Sequence, residues 1–265
     1  MKKASRQYRL LCRIKRALEF AYMFLCRCKS FIFVKLGFFS NEKEKDLNQL
    51  LVGYPHNHNY AVYKKKLFHS FQLYERYKLV SSAFPEKLTS FIDIGSCKGY
   101  YVLNAAMQQS CKISTGVDIH KPFISISKKV KDHLEIKNAS FFLGYLEDIC
   151  DNPQSFGGPF QTVLLIGTYQ YLFWGSGLSQ HAYFNHREIL LRLSRICTER
   201  VILSARLETG WLSSGVKEKA KLLGSKITYT TDDFIKTAEE FFNIETAGYL
   251  GKYPLFIMKK KNLGE

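Results

Sequence analysis

The sequence has no cysteines at zinc-binding spacing and no long uninterrupted apolar run. The first absence argues against zinc-binding and disulfide-rich proteins, and the second argues against transmembrane proteins. Its seven cysteines form no Cys-x-x-Cys pair and no Cys/His zinc spacing, so neither a zinc site nor a disulfide framework is predicted, and a reducing, cytoplasmic compartment is expected. Glu19, Arg27, Lys29 and Lys35 interrupt the most apolar stretch, which argues against a transmembrane helix. No small-x-small cleavage site follows, so export is not expected.

Acidic residues are also few. The chain has 23 Asp and Glu against 39 Lys and Arg, giving a formal net charge of +16. Residues 1–40 hold ten of the basic side chains and a single acid, Glu19. This bias favours anionic partners such as phospholipid headgroups, nucleic acid or phosphorylated substrates, and it carries no information about the fold.

The first 53 residues are predicted to form an arm that precedes a catalytic domain at residues 54–265. Between Leu10 and Leu25 apolar side chains recur at helical spacing with arginines among them, a pattern typical of a basic amphipathic helix. The helix either packs on the catalytic domain, docks on an anionic membrane surface, or contacts nucleic acid, the last being weakest because no RNA-binding module is present. A mitochondrial presequence also remains open.

The remainder of the chain predicts an α/β fold. A helix is expected from about residue 61 to residue 84, followed by apolar strands that begin near residues 91, 113, 140, 162, 201, 244 and 255. Helical patterns separate most of these strands, which indicates a doubly wound, Rossmann-like parallel sheet. The pair His56 and His58 has no third ligand nearby, so a loop or helix-cap role is favoured over a metal site.

The stretch from Phe91 to Tyr101 is the most informative. A buried-looking strand, Phe91-Ile-Asp-Ile, runs through Gly95 and Gly99 directly into a helix. Glycines at such a turn permit unusual backbone conformations, and the free N–H groups at the helix start suit a ligand carboxylate. Ligands of doubly wound sheets bind at the carboxyl ends of strands where the strand order reverses. The sequence therefore predicts a ligand at this turn.

The pattern Asp-x-Gly-x-x-x-Gly resembles the first motif of class I S-adenosylmethionine-dependent methyltransferases, and the end of the chain resembles the family's closing antiparallel strand. The resemblance covers roughly residues 75–260 and implies a seven-stranded sheet with S-adenosyl-L-methionine as cofactor. The residues it assigns to the methionine moiety are Asp93, Gly95, Ser96, Cys97 and Gly99. Cys97 stands where many members have glycine and is interpreted as permissive, as in methyltransferases of the FkbM type.

Further cofactor contacts are expected after the next two strands. Asp118, with Ile119 beside it, is predicted to accept both ribose hydroxyls, the alternative being a cap for the following helix. Tyr145, Leu146 and Glu147 are predicted to line the adenine pocket, with Tyr145 in place of the family's usual acid. The alternative here is that the acids at residues 147 and 148 only start a helix.

The segment after the fourth strand is predicted to contribute Gly167 to the cofactor site and Tyr169 and Tyr171 to the acceptor side. The resemblance places this segment between methyl donor and acceptor, so either tyrosine is a candidate to orient a substrate. His181, His186, the two tyrosines and Glu208 are candidate bases for a hydroxyl acceptor. A carboxylate acceptor needs no base and only cationic donors such as Arg206 or Arg187. The segments 173–177 and 207–224 are predicted to be loops that shape substrate choice.

The predicted function is methyl transfer to a small-molecule, lipid or glycan acceptor near a membrane. A tRNA-modifying enzyme is the alternative, because the layout is similar to the wobble-uridine methyltransferase group, although Tyr171 stands where that group has histidine. A non-catalytic cofactor-binding or scaffold domain is a second alternative. A dehydrogenase is disfavoured by the Asp-x-Gly pattern and the closing strand.

Overall fold

A computed structural model of the chain describes residues 41–53, 58–179, 181–223 and 227–261. The predicted amphipathic helix lies outside the described residues. The chain divides into two compact units, Met1–Glu75 and Arg76–Glu265. The proposed division at residue 53 stays a prediction.

The described part of the first unit holds a helix and a hairpin. Helix α1 (Glu42–Leu51) begins after Asn41, whose side chain accepts a hydrogen bond from the Glu44 N–H. Strands β1 (Tyr60–Tyr63) and β2 (Lys66–His69) pair antiparallel. The Asn48 side chain donates to the carbonyl of Val62 and accepts from the Val62 N–H. These two hydrogen bonds connect α1 to β1 of the hairpin.

This hairpin corrects the helix expected from about residue 61. Helix α2 begins only at Phe71 and ends at Ser82. Lys64 and Lys65 turn the hairpin with positive φ angles of 48° and 56°, which lysine rarely adopts and which its sequence does not signal. The expected helical pattern had only Leu67 as support in this part of the chain, and one apolar residue does not separate a helix from a short strand.

The second unit contains the predicted seven-stranded sheet. Its strands are β3 (Ser90–Ile94), β4 (Ile113–Asp118), β5 (Ala139–Leu143), β6 (Phe160–Ile166), β7 (Cys197–Ser204), β8 (Phe242–Leu250) and β9 (Tyr253–Lys260). They lie in the order β5-β4-β3-β6-β7-β9-β8. Strands β3 to β7 are parallel, and β9 enters antiparallel between β7 and β8. The predicted fold class is confirmed, including the antiparallel final strand.

Helices connect these strands. They are α3 (Tyr100–Ala106), α4 (Lys121–His133), α5 (Leu146–Asp151), α6 (Tyr169–Trp174), α7 (His186–Ile196), α8 (Ser214–Leu223) and α9 (Thr231–Ala238). Two of them replace predicted loops. Phe173 and Trp174 belong to α6 and are buried, and α8 occupies much of segment 207–224. Both were missed because α6 is six residues long and α8 buries only Val216 and Ala220, which is too little for a periodic signal.

The strand order decides where a ligand site can form. From β3 the chain moves outward through β4 to β5, then returns to β6 on the other side of β3 and continues to β7. The loops after β3 and β6 therefore diverge, which leaves a crevice at the carboxyl ends of these strands. Within the ranges that the structure describes, no helix combines the length and the apolar character needed to cross a bilayer.

Candidate functional site

The loop after β3 is held tightly against the end of β4. The N–H groups of Gly95 and Ser96 both donate to the carbonyl of Val117, at 2.8 and 3.0 Å. Three residues of the turn have positive φ angles: Gly95 at 80°, Cys97 at 50° and Gly99 at 78°. Such angles suit glycine and strain other residues, so Cys97 is held in a conformation that only its surroundings stabilise.

Asp118 connects the three loops at this edge of the sheet. Its Oδ2 accepts from the Cys97 N–H and its Oδ1 from the His120 N–H, both at 2.8 Å. Its carbonyl accepts from the N–H of Gly144, after β5, at 3.2 Å. An ionised carboxylate has about four lone-pair positions, so these two carboxylate bonds leave capacity for ligand hydroxyls. The carboxylate accepts from the turn after β3 and from the residue that precedes α4, and the ribose role of Asp118 stays a prediction.

Two carboxyl groups flank the turn in a setting unfavourable to negative charge. Asp93 is buried, and burial, followed by the charge of Asp118, holds its pKa well above the usual range. Burial also raises the pKa of Asp118, an effect opposed by the N–H groups of His120 and Cys97. A cationic ligand group beside these carboxylates would offset the cost of their ionised forms.

The glycines of the turn lie against protein atoms rather than open space. A β-carbon on Gly95 would lie 2.2 Å from Oγ1 of Thr168, and one on Gly99 would lie 2.7 Å from the ring of Phe141. Gly167 differs, because no atom of the described residues lies within 4 Å of its β-carbon position, and the residue is exposed. The first two glycines thus serve packing and turn conformation, whereas Gly167 has room for a side chain.

Ser96, Cys97 and Lys98 are all buried in the turn. Ser96 Oγ is buried and, among the residues that the structure describes, has no hydrogen-bond partner. Burial, followed by the charge of Asp118, raises the pKa of the Cys97 thiol to about 12, which keeps it protonated and unreactive. Lys98, which was not predicted as a site residue, has its pKa lowered by burial.

The predicted adenine side is the start of α5, and the acids Glu147 and Asp148 lie in its first turn, as the alternative interpretation expected. The Tyr145 N–H donates to Oδ2 of Asp148 at 2.7 Å, and Leu146 is buried in the core. The Glu147 carboxyl group contacts the His181 ring, and the rings of His181 and Tyr145 approach each other with 6.4 Å between centroids. The structure therefore brings His181 to the adenine-side residues rather than to the loop after β6, where its proposed catalytic role would place it.

Tyr169 occupies the core instead of the crevice. Its side chain is fully buried, and its hydroxyl forms a 2.8 Å hydrogen bond with Nδ1 of His186. His186 also stacks on Tyr229, and burial lowers the pKa of His186 to about 4. This geometry favours packing roles for Tyr169 and His186 over contact with a substrate. Tyr171 is half-buried and packs against the same core.

Gln170 links the loops after β6 and β7, a connection that sequence reasoning did not find. Its Nε2 donates to the carbonyl of Gly167, and its Oε1 accepts from the N–H of Arg206 at 3.4 Å. Glu208, a predicted base, instead accepts from the N–H of Thr231 at 2.8 Å. Within the described part of the chain no group of three or more His, Cys, Asp or Glu is arranged to hold a metal ion.

A family model of the methyltransferase domain matches residues 85–243 of the chain. The crystal structure of EvdMO1 superposes with a TM-score of 0.55 at 16% identity, over 84% of this chain and 48% of EvdMO1, so the chain spans about half the length of that protein. The PH0226 protein from Pyrococcus horikoshii OT3 superposes with a TM-score of 0.52 at 14% identity, over 73% of this chain and 93% of PH0226. Both structures share the fold. No curated protein matches in sequence.

Proposed function

Since the chain belongs to the methyltransferase domain family, we propose that it transfers a methyl group from S-adenosyl-L-methionine to a small-molecule, lipid or glycan acceptor. The observation that carries the proposal is the joining of the Gly95 turn to Asp118, with the Asp93 carboxyl group buried beside them. When bound, the cofactor supplies an electrophilic methyl group on a positively charged sulfur.

The residues of the turn fit this cofactor chemically. Asp118 retains acceptor capacity for the ribose hydroxyls, and Ser96 Oγ is a buried polar atom in need of a partner. Asp93 and Asp118 form an electronegative site that a sulfonium and an ammonium group would complement. Asp118 would suit the ribose of either cofactor, so the support for methyl transfer over hydride transfer comes from Asp93, whose carboxylate would repel the diphosphate of a dinucleotide.

The enzyme's contribution on the acceptor side is best described as alignment. Of the predicted bases, His186 is buried, Glu208 is bonded to Thr231 and His181 is paired with Glu147. Displacement at a sulfonium methyl group depends chiefly on the in-line placement of the acceptor atom. This arrangement supports an acceptor that is already nucleophilic, such as a carboxylate, over one that must lose a proton to a protein base.

Calorimetry with S-adenosylmethionine, S-adenosylhomocysteine and NAD tests the cofactor. We expect both sulfur nucleosides to bind. NAD should bind at least about tenfold more weakly, which corresponds to a difference in binding free energy of about 1.4 kcal/mol. Tight binding of NAD without binding of S-adenosylmethionine would overturn the proposal.

For residues 1–40 we propose contact with an anionic membrane surface at the cytoplasmic side, supported by their ten basic residues and single acid. Sedimentation with vesicles of phosphatidylserine and phosphatidylcholine, using the full chain and a chain that begins at residue 41, tests this role. Equal binding of both chains to the vesicles contradicts it, and selective loss of tRNA binding in the shorter chain would instead favour a nucleic-acid role.

A further inference from the structure

Four side chains form a patch of cations and aromatic rings at the carboxyl edge of the second unit. Arg206 follows β7, Trp211 ends a short 3-10 turn, and Lys252 and Tyr253 lie at the tip of the β8–β9 hairpin. The Trp211 and Tyr253 rings meet at an angle, with 5.7 Å between centroids. We call these four residues the basic-aromatic patch.

Both cations of the basic-aromatic patch lie on the rings. The Arg206 guanidinium is 5.8 Å from the centroid of Tyr253, and Lys252 Nζ is 5.7 Å from that of Trp211 and 5.8 Å from that of Tyr253. Contacts of this kind hold the cations in place without neutralising them. Their remaining N–H groups stay available as donors to an anion.

Neither Arg206 nor Lys252 forms an ion pair with an acid among the residues that the structure describes. Glu208, the acid nearest in sequence to Arg206, accepts a hydrogen bond from the N–H of Thr231. Lys217 adds a third cation, donating to the carbonyl of Gly210 at 3.2 Å. Arg187, the other cation considered for acceptor binding, forms a 2.8 Å ion pair with Glu240 and is therefore a weaker candidate than Arg206.

A short series of contacts connects the basic-aromatic patch to the turn after β3 that contains Gly95. Arg206 is bonded through its N–H to Gln170, and Gln170 is bonded to Gly167. The next residue, Thr168, lies against Gly95. The patch thus lies on the β7 side of the crevice, opposite the β4 and β5 loops that hold Asp118 and Tyr145. An acceptor placed there would reach the crevice from the side that the cofactor leaves open.

We propose that the basic-aromatic patch binds an anionic group of the acceptor, a carboxylate or a phosphate attached to a planar ring. Arg206 and Lys252 hold the anion, and Trp211 and Tyr253 contact the ring. This inference rests on the proposed methyl-transfer function, because that function places the acceptor on this side of the crevice.

Fluorescence titration of the full chain tests the proposal. The chain has two tryptophans, and Trp174 is buried whereas Trp211 is partly exposed, so quenching that disappears in Trp211→Phe reports on the patch. The probes are benzoate, phenyl phosphate and the neutral benzyl alcohol, each with S-adenosylhomocysteine at saturation. The variants are Arg206→Gln and Lys252→Gln, with Arg187→Gln as the matched control.

We expect at least one of the two anions to bind tenfold or more tightly than benzyl alcohol, and the stronger one identifies the acceptor as a carboxylate or a phosphate. Arg206→Gln and Lys252→Gln should each weaken that binding about tenfold, whereas Arg187→Gln should leave it unchanged. Equal binding of neutral and anionic probes, no binding of either anion, or equal losses in Arg206→Gln and Arg187→Gln would overturn the inference.

The cofactor measurement separates the two proposals. If S-adenosylhomocysteine binds with equal affinity to the unmodified chain and to Arg206→Gln, Lys252→Gln and Arg187→Gln, the cofactor site is intact in all of them. A failed probe titration then contradicts only the acceptor proposal. If S-adenosylhomocysteine fails to bind to the unmodified chain, the proposed function itself is wrong.

Discussion

Thr168 Oγ1 lies 2.2 Å from the point that a β-carbon on Gly95 would occupy. The contact joins the loops after β3 and β6, which are the two loops that diverge at the switch point of the sheet. Threonine is stiff about its first side-chain torsion, so its side chain has little freedom to move away. The turn that holds the proposed cofactor is therefore fixed in part by a residue on the acceptor side.

Gly95→Ala should destabilise the protein by about 2–4 kcal/mol, because the new methyl group meets Thr168 and alanine is strained at positive φ. Gly167→Ala is the matched control. It has a similar φ of 72° but open space around the β-carbon, so it should lose only about 1 kcal/mol. Urea unfolding of both variants measures the difference, and Gly95→Ala with Thr168→Ala should recover most of the steric part, because it removes the Oγ1 and Cγ2 atoms and leaves only Cβ, at 3.0 Å. Equal losses in the two single variants would show that the contact is unimportant.

Asp118→Asn should weaken binding of S-adenosylhomocysteine by roughly 10- to 100-fold, the loss expected for one or two hydrogen bonds to a charged group. The amide can accept through only one of its two terminal atoms, so the N–H of Cys97 or of His120 loses its partner. Calorimetry measures the affinity. Asp132→Asn, an exposed position on α4, is the control and should change nothing. Unchanged affinity in Asp118→Asn would refute the ribose assignment.

The raised pKa of Asp93 predicts a pH-dependent affinity for the cationic cofactor. In the free protein Asp93 takes up its proton at a pH above the ordinary aspartate range, and the protonated form gives no charge to complement a sulfonium. Affinity for S-adenosylmethionine should therefore fall as the pH is lowered through that raised pKa. Calorimetry across this range should show a smaller slope for Asp93→Asn than for the unmodified chain. If the affinity of both proteins changed equally with pH, the ionisation of Asp93 would not contribute to binding of the cationic cofactor.

The parts of the site that could be predicted from sequence are those fixed by local chain geometry. Asp93 lies near the end of β3, Gly95 follows it, and Asp118 ends β4, so the parallel pairing of β3 with β4 necessarily brings these positions together. The register places Ile94 beside Val117, so the turn after one reaches the carboxylate after the other. The strand–turn–helix pattern in the sequence was therefore sufficient to predict that the Gly95 turn and Asp118 lie close together.

The acceptor side could not be predicted in the same way, because it depends on contacts between segments distant in sequence. Tyr169 looked like a crevice residue from its place after β6, but α6 begins there and turns its side chain toward His186, seventeen positions along the chain. The pairing of Arg206 with Tyr253 likewise joins the loop after β7 to the final hairpin. Such contacts arise from tertiary packing, for which periodicity gives no signal.

The buried pair of His186 and Tyr169 predicts a loss of stability in mild acid. Burial lowers the pKa of His186 to about 4, whereas the unfolded chain takes up this proton near 6.5. Between these values the unfolded state binds more protons, so the free energy of unfolding should fall as the pH drops below about 6.5, by roughly 2 kcal/mol at about pH 5. Urea unfolding at pH 7, 6 and 5 measures this change. Glutamine does not titrate, so His186→Gln should flatten the dependence, while His181→Gln at an exposed position should retain it. A slope in His186→Gln equal to that of the unmodified chain would mean that other groups cause the acid sensitivity.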